Sequence, residues 1–156
     1  MEKLLRFLNP KSVNLEAIPS GGVPDITAAD VCIAMSYARL SPLQDNLLRL
    51  KCLGANSIEN IDKFAQVLTP KFEKHFNAQK LDAHHHQVAI RVALIEFCKV
   101  PADYKPTCRN RAVLSGQNYL VIHRYLGKQI SLVLDVLLIE YALAEEKVFF
   151  QLFKTN

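Results

Sequence analysis

Apolar residues recur at helical spacing along most of this chain. Ile26, Val31, Ala34, Met35 and Ala38 share one face of a helix that Asp25 or Thr27 can cap and that runs to about position 40. Pro42 restarts a helix through Leu43, Leu47, Leu50 and Leu53, and Gly54 terminates it. Ser57 opens a third, with Ile58, Ile61, Phe64, Ala65 and Leu68 on one side. Thr69 followed by Pro70 predicts a short fourth helix through Phe72 and Phe76. Asp82 caps a fifth, in which Val88, Val92, Ile95 and the flanking Leu94 and Phe97 face a core. Pro101 and Pro106 end it and enclose a loop. Ser115 caps a sixth helix over 119–126 that Gly127 closes, and Ser131 begins a last one reaching Lys154.

No segment alternates cleanly between apolar and polar residues for the length of a strand. The prediction is an all-α fold, a compact bundle of about six to seven helices in a single domain over 27–156. Ahead of it, residues 1–26 carry Pro10, Pro19, Pro24 and the pair Gly21-Gly22, and read as an irregular N-terminal arm. The last helix is apolar nearly all round, through Leu132, Leu134, Val136, Leu137, Leu138, Ile139, Leu143, Phe149, Phe150, Leu152 and Phe153. Such a helix is either a central core element or covered by a partner. On the second reading Leu134, Leu138, Phe149 and Phe153 form the partner interface, and a dimer is one way to cover it.

Composition narrows the class. With 156 residues, 50% of them hydrophobic and 22% charged, the chain can bury a core and lacks the signature of disorder. The first residues do not form a secretory signal, and the longest apolar stretch, 130–139, is interrupted by Asp135 and too short to span a membrane. Cys32, Cys52, Cys98 and Cys108 are scattered, with no CxxC pair, which suits reduced thiols better than a disulfide framework. The expected location is the cytoplasm, with no membrane partner.

Candidate chemistry is sparse. His84, His85 and His86 are consecutive, and helical neighbours point about 100° apart, so all three cannot converge on one metal ion. No HExxH, Gly-rich phosphate loop or Gly-x-Ser-x-Gly elbow is present. Cys98, between Phe97 and Lys99 on an apolar helix, reads as a small core residue rather than a nucleophile. The expectation is a protein without catalytic residues, metal or cofactor.

Charge is unevenly placed. Between positions 99 and 128, Lys99, Lys105, Arg109, Arg111, Arg124 and Lys128 face a single acid, Asp103, a net +5. From 129 to the end, Asp135, Glu140, Glu145 and Glu146 outweigh Lys147 and Lys154, a net −2. The six cations are the candidate nucleic-acid-binding residues, able to neutralise phosphates. Two segments have helix–turn–helix spacing, one around Gly54 and one around Gly127. Neither places a good set of base-reading side chains at the start of its second helix.

Four strings, taken in order, give a resemblance. Arg6-Phe7-Leu8-Asn9-Pro10-Lys11-Ser12 looks like the opening Phe-x-x-Pro-Lys-Ser of the lambda-type phage antitermination protein Q family. Thr27-Ala28-Ala29-Asp30-Val31, with Ala34-Met35 and Ala38, is similar to that family's first helix. Glu96-Phe97-Cys98-Lys99 resembles the end of its central helix, and Cys108-Arg109-Asn110-Arg111 stands where the family has Cys-Arg-Asp-Cys. Together they cover about residues 5–111. Here Arg111 replaces the second cysteine and no further CxxC follows. Cys108 keeps one ligand of the family's zinc ribbon, but the set of four that a tetrahedral zinc needs is not complete.

The resemblance implies a phage or prophage transcription antitermination factor in a bacterial host. It would bind RNA polymerase near a late promoter and make it resist terminators, with DNA contact left open. The alternative is a helical protein–protein adaptor or inhibitor of phage origin with no nucleic-acid contact.

Overall fold

A computed structural model describes residues 28–99 and 104–154. The N-terminal arm expected over 1–26 lies outside the described residues. The described chain is all-α, with no strand among these residues. It contains α1 (Ala28–Tyr37), α2 (Pro42–Cys52), α3 (Ile58–Ala78), α4 (Ala83–Cys98), α5 (Cys108–Ser115), α6 (Tyr119–Val121), a π-helical turn (Ile122–Leu126) and α7 (Gly127–Lys154). These helices fall into two units. The first holds α1, α2 and α7 from Ile139 onward; the second is Asn56–Leu138.

In the first unit, α2 starts as its sequence predicts. Ser41 accepts a hydrogen bond from the Gln44 backbone N–H, Gln44 Oε1 accepts one from the Ser41 N–H, and Pro42 fills a position that needs no donor. Gln44 also donates to Glu140 Oε2 at 3.0 Å and accepts from Lys147 Nζ at 2.9 Å, which fastens the start of α2 to α7. Leu47, Leu48, Leu50, Tyr141, Ala144 and Val148 are buried in this unit. Burial first, and then its contact with Cys52 (Oη to Sγ, 3.4 Å), pushes the Tyr141 hydroxyl pKa well above the ordinary tyrosine range.

In the second unit, α3 and α4 pack against each other. Ile61, Phe64, Ala65, Leu68, Phe72 and Phe76 form the buried stripe of α3. The expected break at Thr69-Pro70 does not occur, and α3 runs straight through it. Phe72 and Phe76 continue the stripe of Leu68 at steps of four, so burial outweighs the bond that Pro70 cannot donate. Thr69 does not act as a cap; its hydroxyl donates to the Ala65 carbonyl at 2.9 Å.

Three further boundaries differ from expectation. Residues 108–115, to which the apolar pattern assigns no helix, form α5, capped by Thr107, whose side chain accepts from the Asn110 N–H. Asn118, not Ser115, caps α6, accepting from the Leu120 N–H at 2.8 Å. Gly127 does not close a helix. Its N–H donates to the Ile122 carbonyl, five residues back, and the chain continues into α7. A Cβ at position 127 would lie 2.8 Å from that carbonyl oxygen, so glycine is what allows the π turn to pass into α7.

Candidate interaction surfaces

The six predicted cations do not act alike. Lys99, Lys105, Arg109, Arg124 and Lys128 are exposed and make no ion pair among the described residues. Arg111 is a correction. Its Nε and Nη2 donate to the two oxygens of Glu96 at 2.7 and 2.8 Å, and its Nη1 reaches the Gly127 carbonyl and Ser131 Oγ. The two side chains are only 11% and 3% exposed. A guanidinium fully engaged with a buried carboxylate is not available to a phosphate. Hydrogen bonding to Glu96 also holds Arg111 more firmly protonated than usual.

Tyr104 completes this cluster by donating to Glu96 Oε1 at 2.9 Å. Its burial, reinforced by the Glu96 carboxylate, raises its pKa well above the ordinary range. Beside the cluster lies an open groove of about 480 Å³, lined by Cys108, His123, Lys128 and Asp135 among others. An acid thus shares this groove with Lys128, and the surface is mixed in sign.

The two segments with helix–turn–helix spacing differ from each other in the structure. The segment around Gly127 has no turn, and in the segment around Gly54 the two helices belong to different units. At the start of α3, Lys63 is paired with Glu59 at 2.6 Å.

The α7 interface residues are placed differently. Leu134 is half-buried and Leu138 is 42% exposed, while Phe149 and Phe153 are 50% and 67% exposed and stack with ring centroids 6.3 Å apart. The more coherent surface is one that the apolar pattern does not single out. Ile139, Leu143, Phe150 and Phe153 are 46–67% exposed. At about 100° per residue they fall within an arc of about 80°, opposite the buried Tyr141, Ala144 and Val148. Their 4-7-3 spacing was the available signal, obscured because the core side of α7 is equally apolar.

The histidines divide. His86 turns inward, 4% exposed, with its ring 5.0 Å from that of Phe76 and Nε2 3.0 Å from the Leu81 carbonyl oxygen. His84 and His85 lie together at the surface, their ring centroids 3.7 Å apart, next to Asp82. The three histidines do not converge, as expected, but two of them approach an aspartate that the sequence marks only as a cap.

None of the four cysteines is in a disulfide, and Cys98 is half-buried rather than fully inside the core. No described helix is long and apolar enough to cross a membrane. No protein-family model, curated protein or solved structure matches the chain.

Proposed function

We propose that this chain works by docking rather than by catalysis, as a Q-like antitermination factor that binds bacterial RNA polymerase through the outer face of α7. The observation that carries this reading is the exposed arc of Ile139, Leu143, Phe150 and Phe153. Clustered aromatic anchors on one face are what a protein partner buries, and an isolated soluble domain has little use for them. The choice of polymerase as partner rests on the resemblance of the strings between positions 5 and 111. The exposed Lys99, Lys105, Arg109, Arg124 and Lys128 are available to touch nucleic acid on that complex; Arg111 belongs to the scaffold.

A second reading, an adaptor without nucleic-acid contact, is favoured by the withdrawal of Arg111 and by the acid that lines the groove with Lys128. Capture of purified bacterial RNA polymerase by the full chain, followed by transcription across an intrinsic terminator, tests the first. Polymerase capture and read-through, both lost in Phe150→Ser/Phe153→Ser, is the expected result. A chain that neither binds polymerase nor alters termination overturns it.

A further inference from the structure

We propose that Asp82, His84 and His85 form a surface site for a divalent transition-metal ion of the zinc class. The ligand atoms of these three side chains lie within 4.8 Å of one another. A tetrahedral ion with bonds of about 2.0–2.1 Å needs its ligands about 3.4 Å apart, so the widest separation has to close by about 1.4 Å when the ion binds. The fourth position is left for water or a partner's ligand.

Local structure explains the convergence. Asp82 is the N-cap of α4, with extended backbone angles, and it makes none of the side-chain cap hydrogen bonds normal at this position. Its carboxylate instead lies beside the second and third residues of the helix. These are His84 and His85, whose rings are turned toward each other instead of splaying apart. Hydrophobic burial takes the next residue, His86, the other way.

An outer partner comes from another element. His85 Nε2 lies 3.3 Å from Gln117 Oε1, in the loop between α5 and α6. An Nε2–H donated to that amide oxygen leaves Nδ1 with its lone pair for the metal, the usual way a ligating histidine is oriented. Two imidazoles and one carboxylate, without thiolate, select zinc, nickel or copper over magnesium or calcium. The helix dipole opposes a cation at this end of α4, and the anionic Asp82 offsets it. Through the His85–Gln117 contact, metal binding joins the start of α4 to the α5–α6 loop. The site uses none of the cysteines and is independent of the docking reading above.

The test uses the full untagged chain, stripped with chelator and titrated with Zn²⁺ alone by calorimetry, with Co²⁺ as a spectroscopic probe. We expect one saturable equivalent at micromolar concentration, a rise in Tm with added zinc, and a cobalt spectrum lacking the thiolate charge-transfer band. His84→Asn and His85→Asn should each weaken binding at least about tenfold, and Gln117→Ala by about tenfold. Asp82→Asn, which removes no cap hydrogen bond because the Asp82 side chain makes none, should weaken it with the helix content unchanged by circular dichroism. No saturable binding overturns the proposal. So does stoichiometric binding retained in the double histidine variant, or a thiolate band.

Discussion

Arg111 and Glu96 form a two-pronged ion pair, with 2.7 and 2.8 Å bonds from α5 to the end of α4, and the third guanidinium nitrogen extends it to the Gly127 carbonyl at the start of α7. One side chain thus cross-links three helices by hydrogen bonds. Arg111→Ala would leave the Glu96 carboxylate, only 3% exposed, without its cation and with the Tyr104 hydroxyl still donating to it. The expected loss is roughly 3 kcal/mol, measured by urea denaturation. Arg111→Lys should recover only part of it, because an ammonium cannot bond both oxygens in the same plane. A loss below about 0.5 kcal/mol, the range of ordinary surface changes, would contradict this role.

The same geometry separates scaffold from surface in nucleic-acid binding. If the chain binds duplex DNA, replacing Lys105, Arg109 and Lys128 together with alanine should flatten the dependence of log K on log salt. The slope falls by up to about 0.9 for each phosphate that is no longer neutralised. Arg111→Ala, measured where the variant remains folded, should leave that slope unchanged. Filter binding at several salt concentrations reads both.

Gly127 offers a backbone test. A methyl group there meets the Ile122 carbonyl oxygen at 2.8 Å, and the oxygen is held by the π turn itself. Gly127→Ala should cost roughly 1–3 kcal/mol, as overpacking does, although alanine ordinarily favours helices. A stabilised variant in thermal unfolding would show that the π turn is not needed to seat α7.

The two faces of α7 predict opposite behaviour for near neighbours. Val148 is 5% exposed and Phe150 is 63% exposed. Val148→Ala should lower stability by roughly 1–3 kcal/mol through the removed methyl groups and the cavity. Phe150→Ala should change it by no more than about 0.5 kcal/mol, while reducing the binding of a hydrophobic dye. Equal losses at the two positions would mean that this arc is packed in solution.

Alkaline pH probes Tyr104 and Tyr141. Both hydroxyls are raised, chiefly by burial, so the folded protein holds them protonated where the unfolded chain would ionise them. The stabilisation is fully present below the unfolded tyrosine value of about 10 and declines as pH rises above it. Ultraviolet titration should therefore find two of the five tyrosines ionising late, together with the loss of helical signal. Ionisation of all five in one early step, before unfolding, would disprove the assignment.

Much of the fold was legible because it depends on short-range rules. Ser41 and Pro42 set the start of α2; the apolar steps matched the buried faces at Ile61, Phe64, Ala65 and Leu68 of α3 and at Val92, Leu94, Ile95 and Phe97 of α4, whereas Ile58 is exposed and Val88 only half-buried. The failures occurred where local signals competed with packing. Thr69-Pro70 carried a helix-start signature, and the buried Phe72 and Phe76 overrode it. Gly127 carried a helix-stop signature, but its missing Cβ instead served the π turn.

The sequence by itself determined that this chain is helical, where most of its helices begin, and that its cations cluster between positions 99 and 128. Those properties follow from periodicity, capping chemistry and counting. Only the tertiary structure decided which charges and apolar residues are available. Glu96 lies fifteen positions before Arg111, and no local rule relates them. Folding brings them together, takes one cation out of the basic stretch, and leaves one side of an all-round apolar helix facing outward. It also turns His84 and His85 toward Asp82 while His86 goes to the core, because burial acts on each side chain according to what surrounds it in space.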